Sequence, residues 1–353
     1  MLLSRLVAPV LLLAVPAVPA LSVTPARAAS FDCAVAKTPL EHAICDFGEL
    51  SRADERLAKT YATAVGGLTK GAVTALRTDQ KNWLDYAQRA CNDDAQPKSA
   101  GSYDETGATC LVSIFDARST ALEQSRMLGG HRFYVQSTYG ALPDPEEADN
   151  PDSSWKVATH EMTYPALDGD DPLAKGFNDY MSARVDGLSQ SSSDAEGGDE
   201  LDASSDTSVS VNLKKVVGVN RFSFDATTYW YGHGAAHGNY TLSYFNYYVP
   251  KGREVIAEDI FAGDDWSSTL VDAAWEQLQA EHKEWLQVEA AGDIAAIVVE
   301  PTRWDLDDDY GLTIQFQPYE VAAYAYGAPT ITIPWEKLDA IKAESQDTVR
   351  FGY

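Results

Sequence analysis

From Pro39 to Met127 apolar residues recur at helical spacing. Leu50, Leu57, Tyr61 and Val65 share one face before Gly66-Gly67, and Val73, Leu76, Trp83, Leu84 and Ala87 repeat the pattern. A third helix carries Leu111, Ile114, Phe115, Arg118 and Leu122, with Gly129-Gly130 as its expected stop. Beyond Gly130 the period shifts to two. Val209, Val211, Leu213, Val217 and Val219 share one strand face, and Phe222, Phe224, Ala226 and Trp230 share the next. Tyr240, Leu242 and Tyr244 continue the alternation, "PKGRE" supplies a turn, and "GLTIQFQPY" gives another strand. Leu173, Phe177, Tyr180 and Met181 predict one helix, and Leu270, Ala274, Leu278 and Trp285 a second over about Ser267 to Gln287. "PTITIPWEKLDAIKA" predicts a short strand and a closing helix.

The fold class predicted is α+β: an N-terminal helical bundle, then a mostly antiparallel sheet domain with helices packed on one side. The division falls at 29–128 and 129–353. Between Asp144 and Asp206 stand 17 acidic and 3 basic residues, and the Ser/Asp/Gly-rich run near 189–206 is expected to be an acidic, flexible loop.

The N-terminus adds a destination. Arg5, the apolar run Leu6 to Val15 and "ARAAS" read as a secretory signal peptide over 1–28, too short in its apolar part to span a bilayer. The mature protein is expected to be periplasmic or secreted, without a membrane span. Export makes disulfides the natural reading of Cys33, Cys45, Cys91 and Cys110. Four cysteines allow three pairings. Closure of the polar connector "CNDDAQPKSAGSYDETGATC" favours Cys91 with Cys110, which leaves Cys33 with Cys45.

A formal net charge of -26, from 53 acidic and 27 basic side chains, argues against nucleic acid or anionic lipid and suits a cationic protein partner. Solubility alone would also explain it.

The conspicuous chemistry lies in "YGHGAAHGNY", with His233 and His237 four apart. Gly232, Gly234 and Gly238 oppose the helix that would align both imidazoles on one metal. In a strand they would lie roughly 13 Å apart at about 3.3 Å per residue. No nucleophile stands in a recognisable elbow, so no catalytic residue, metal or cofactor is assigned. The glycines are expected to let strands approach or bulge, with the histidines hydrogen-bonded near the strand ends.

Two resemblances sharpen this. "FDCAVAKTPLEHAICDFGELSRADERLAKTYATAV", "DQKNWLDYAQRAC" and "TCLVSIFDARSTAL", with Cys33, Cys45, Gln80, Trp83, Cys91, Cys110 and Arg118, resemble the LprI-type lysozyme inhibitors of bacterial envelopes; Ala87 stands where an arginine is expected. "YGHGAAHGNYTLSYFNYYVPKGREVIAEDIF" and "LTIQFQPYEVAAYAYGAPTITIPWEKL" resemble the extracellular domain of RsiV-type lysozyme-sensing anti-sigma factors and PdaC-type peptidoglycan deacetylases. The sigma-binding segment and the deacetylase barrel are missing, so neither activity is implied. The resemblances imply a protein that binds and inhibits or senses lysozyme, the rival being a peptidoglycan-binding protein that leaves lysozyme alone. Candidate contacts are His237, Asn239 and Tyr240 in the glycine-rich turn and the acidic Glu41 and Asp54 of the bundle.

Overall fold

The computed structural model describes residues 29–192 and 201–353. The predicted signal peptide and the centre of the acidic segment, 193–200, lie outside the described residues.

Four helices rather than three form the N-terminal bundle: α1 (Pro39–Asp46), α2 (Gly48–Val65), α3 (Lys70–Ala90) and α4 (Glu105–Leu122). α1 begins on a capping box, in which the Thr38 hydroxyl accepts from Glu41 N and the Glu41 carboxylate accepts from Thr38 N. Extended backbone at Phe47 then separates α1 from α2. Leu50, Leu57, Leu76, Trp83, Leu111 and Phe115 fill the core, each large apolar side chain contributing about 1.5–3 kcal/mol by burial. Leu84, expected there, is exposed, and Tyr86 takes its place. Disulfides join Cys33 to Cys45 and Cys91 to Cys110, the favoured pairing.

α4 ends at Leu122, short of the glycine pair. Gly129-Gly130 instead turns the hairpin between β1 (Met127–Leu128) and β2 (His131–Pro143), both at positive φ. Glycine is needed twice over at Gly129, where a Cβ would also collide with Val216. The boundary expected at 128/129 therefore falls inside a hairpin.

The strands β3 (Val157–Leu167), β4 (Ser205–Val217), β5 (Arg221–Gly232), β6 (Asn239–Tyr248) and β7 (Arg253–Glu254) complete a seven-stranded sheet in sequential order. Neighbours are antiparallel except β3 and β4, which run parallel because α5 (Pro172–Ser192) crosses between them. The segment near 189–206, expected as a loop, is thus helical at its start and a strand from Ser205. Phe177, Met181 and Val185 of α5 pack on Phe133, Val209, Val211, Leu213, Phe222 and Phe224. On the opposite face Ala72 of α3 packs on Tyr134 and Ala166 of β2 and β3. A register shift between Leu213 and Lys215 interrupts the β4 alternation, and Val219 lies exposed in the turn beyond it.

The C-terminal part adds α6 (Ala257–Ile260), α7 (Trp266–His282), α8 (Ala291–Val298), β8 (Trp304–Asp305), β9 (Gly311–Gln315), β10 (Thr330–Pro334) and α9 (Gln346–Phe351). β8, β9 and β10 form a second, antiparallel sheet around Leu270, Leu278, Trp304, Leu312, Ile314 and Ile331. α7 stops at His282 and leaves Trp285, read as a core position, 60% exposed. "WEKLDAI" forms two 3-10 turns, so the closing helix comes later than expected, at α9. Arg221 and Lys214 tie the sheets together, Arg221 through Asp307 and Lys214 through Asp305. Among the described residues no helix is long and apolar enough to cross a membrane.

Candidate functional site

The two histidines of the glycine-rich turn have separate surroundings. At the end of β5 the His233 backbone N–H donates to Ser204 O, and its imidazole turns inward with only 3% of the side chain exposed. Nδ1 lies 2.5 Å from Asp144 Oδ2, and Asp206 Oδ2 stands 3.7 Å from Nε2. Asp144 is itself buried, and its other oxygen accepts from Glu146 N and Glu147 N. Burial pushes the Asp144 carboxyl up, but the His233 hydrogen bond and the two amides outweigh it and hold the group below the ordinary carboxylate range. His233 is therefore a buried strut between two loops, hydrogen-bonded at a strand end. The sequence signal was weak, because Asp144 lies 89 positions away.

His237 faces outward. Its Nδ1 donates to Gly238 O at 2.9 Å, since a carbonyl only accepts, which leaves Nε2 to accept from the Tyr319 hydroxyl at 3.4 Å. The ring stacks on Tyr324 with centroids 4.2 Å apart. Gly238 is required because a Cβ there would come within 2.6 Å of the Tyr229 ring. Gly232 likewise makes room for Trp230, and Gly234 turns at φ 79°. Expected to let strands approach or bulge, Gly232 and Gly238 instead make room for the Trp230 and Tyr229 side chains of β5.

The opposite wall is the loop 316–327 after β9. The Gln317 side chain donates to Leu242 O and accepts from Leu242 N, so that it pairs with the edge of β6 as a strand would. Arg303 grips Glu320 with two nitrogens, while Gln317 N donates to Glu320 Oε2 at 2.6 Å. The Tyr324 hydroxyl donates to Gly238 O at 2.7 Å and joins the wall to the turn. So anchored, the loop holds Tyr319 at φ 71° with 58% of its surface exposed and its ring 5.2 Å from Tyr324. A tyrosine with positive φ is uncommon and costs of order 1–3 kcal/mol. Gly327, at φ 85°, closes the loop beside Tyr240. Just beyond, exposed Trp285 stacks on Tyr326, whose hydroxyl meets His282 Nδ1 at 2.7 Å.

The structure thus assembles a rigid aromatic shelf from Tyr229, His237, Tyr240, Tyr319 and Tyr324. Of the sequence candidates, His237, Asn239 and Tyr240 lie at this end of the sheet, with Asn239 exposed. Glu41 lies on α1 and Asp54 on α2 of the bundle, on elements that do not form the shelf. The Glu41 carboxylate accepts from Lys37 N and Thr38 N, and these bonds hold it below its ordinary range. Asp54 is buried and accepts from Ser30 N. The candidate contacts from sequence do not include Tyr319, Tyr324, Gln317 and Glu320, although "QPYEVAAYAYG" carries them all. Among the described residues no group of three or more His, Cys, Asp or Glu is placed to hold a metal ion.

A disulfide-stapled bundle joined to an α+β unit that presents an anchored aromatic surface defines a two-part architecture. Residues 33–122 match the family model described as lysozyme inhibitor LprI. Residues 258–336 match DUF3298, a family of proteins of unknown function, inside the region of the second sequence resemblance. Among solved structures, a DUF3298 member from Bacteroides fragilis NCTC 9343 is similar at 17% identity and TM-score 0.45, covering 64% of this chain and 98% of its own. A DUF3298 protein from Pseudomonas aeruginosa PAO1 is similar at 13% identity and TM-score 0.42, covering 63% and 98%. No curated protein matches the chain.

Proposed function

We propose that this is an exported envelope protein that binds lysozyme and inhibits it by occupancy, without chemistry of its own. The observation that carries the reading is the match of residues 33–122 to the lysozyme-inhibitor model. Two physical features support it. A net charge of -26 would speed the capture of a strongly cationic enzyme such as animal-type lysozyme. The shelf offers His237, Tyr319 and Tyr324 rings already held by mutual stacking and hydrogen bonds, so that little side-chain freedom is lost on binding. The His237, Tyr319 and Tyr324 surface is our choice of contact in the C-terminal part, with the bundle supplying a second contact.

The test is lysis of a bacterial suspension by animal-type lysozyme in the presence of the mature protein, with binding followed at low and moderate salt. We expect saturable inhibition and a complex that weakens as salt rises. An undiminished lysis rate together with no salt-sensitive complex refutes the proposal.

A further inference from the structure

The face of β3 and β4 turned away from α5 is polar, although a helical bundle stands over it. In the parallel register Glu161 lies beside Ser208 and Thr163 beside Ser210. Asn212 continues this face, while Val209, Val211 and Leu213, alternating with these residues, enter the α5 core. α4 leaves a cleft of about 320 Å³ over the strands, bordered by Arg118 and Ala121 of the helix, by Gln124 in the turn just after it, and by Trp83 and Tyr139.

The polar groups of this cleft are unevenly satisfied. Arg118 is fully committed: its guanidinium donates to Gln80, Ser137, Tyr139 and Asp79. Gln124 Oε1, by contrast, is buried without a hydrogen-bond partner. Among the described residues the side-chain hydroxyls of Thr163, Ser208 and Ser210 also make no hydrogen bond. Glu161 uses one oxygen to accept from the Tyr86 hydroxyl at 2.5 Å.

We infer that this cleft is a saccharide site, which takes about one to two pyranose rings of a neutral or N-acetylated sugar. Hydroxyls, an amide oxygen and a carboxylate converge beside aromatic side chains, which suits a ligand with many hydroxyl groups and apolar ring faces. A phosphorylated ligand fits poorly, because the one cation lining the cleft is already engaged by four partners. An extended peptide cannot add to β3 or β4, since each is already paired on both sides. The site is separate from the Tyr319 shelf and does not depend on the lysozyme reading.

The experiment is titration calorimetry of the full mature protein with N,N′-diacetylchitobiose and with cellobiose, inorganic phosphate serving as the comparison. Binding of either disaccharide in the millimolar range or tighter, without phosphate binding, is the expected result. Thr163→Val with Ser210→Ala should weaken that binding about tenfold, near the loss of one or two hydrogen bonds. Ala121→Trp, which fills the cleft from α4 without touching the Arg118 network, should abolish it. Melting curves confirm that both variants fold. Failure of both disaccharides to bind overturns the inference, as does binding that persists unchanged in the folded variants or that phosphate matches.

Discussion

Arg303 holds Glu320 in a two-pronged ion pair, Nη1 to Oε2 at 3.1 Å and Nη2 to Oε1 at 2.7 Å, immediately beside the exposed, positive-φ Tyr319. The same carboxylate accepts from Gln317 N, so one side chain fixes both the entry to the loop and the position of the tyrosine. Removing it would leave a half-buried guanidinium and an amide without their acceptor. Glu320→Ala should destabilise the fold by about 1–3 kcal/mol and weaken lysozyme inhibition about tenfold or more. Glu320→Gln should fall between. Inhibition titrations paired with urea melts check both effects.

Tyr319 gives stability and function opposite signs. Tyr319→Gly relieves a left-handed backbone that a side chain makes costly, for a gain of roughly 1 kcal/mol. Glycine also has more freedom to lose on folding, so the net gain will be smaller. The ring is lost from the shelf in either case. We expect the glycine variant to melt no lower than the parent while inhibiting less well, and Tyr319→Ala to lose inhibition without the relief. Equal inhibition by all three proteins would remove Tyr319 from the contact surface.

Much of this was legible in the sequence where the pattern is local. Helical spacing located the bundle and its apolar face, alternation located β4 to β6, and closure of one polar connector pointed to the disulfide pairs. Legibility failed where the deciding partner is distant. Gly129-Gly130 looks like a helix stop, but its role is set by Val216 and a hairpin. Leu84 and Trp285 continue an apolar period yet face outward, because the helix surface at Leu84 is not covered and α7 has ended before Trp285. His233 became intelligible only once folding brought Asp144 to it. The tyrosines of the shelf hid in plain view: aromatic-rich strands read as core by default, and nothing local announces that Tyr319 is held out on an anchored loop.

The disulfides should matter to the bundle more than to the sheet. Closed loops of this size remove on the order of 3 kcal/mol of chain entropy from the unfolded state. Cys91→Ala with Cys110→Ala should therefore lower stability by about 2–4 kcal/mol. Because Tyr139 and Val157 of the sheet pack against the bundle core, the loss should appear in one shared transition. Thermal melts followed both by near-ultraviolet and by far-ultraviolet signals check this. Two separated transitions would show that the modules fold independently.

Gly238→Ala tests the glycine-rich turn that carries His237. The added methyl would meet the Tyr229 ring, so the ring must move or the turn must open. Either response disturbs the carbonyl that His237 and Tyr324 share, and weaker inhibition is expected with little change in helix content.

Glu254 should impose a pH dependence that can be isolated. Burial pushes its carboxyl up to about 7, against the opposing pull of Arg184 at 3.3 Å, with Glu300 adding to the rise. The unfolded chain ionises near the ordinary glutamate value of 4.5. Between these two values the folded state holds more protons than the unfolded one, so stability falls as pH rises through this window. The contribution is fully present below about 4.5 and lost as pH passes 7, worth on the order of 3 kcal/mol at most. Asp144 and Asp307, whose carboxyls lie below their ordinary range, act in the opposite direction and weaken the fold in acid, so the parent curve alone is ambiguous. The comparison with Glu254→Gln removes that ambiguity. The amide cannot ionise but keeps an oxygen that can accept from Arg184. Relative to the parent, the variant should gain stability between pH 5 and pH 8. Urea unfolding of both proteins at each pH gives the double difference, and a value near zero would mean that Glu254 titrates alike in the folded and unfolded chain.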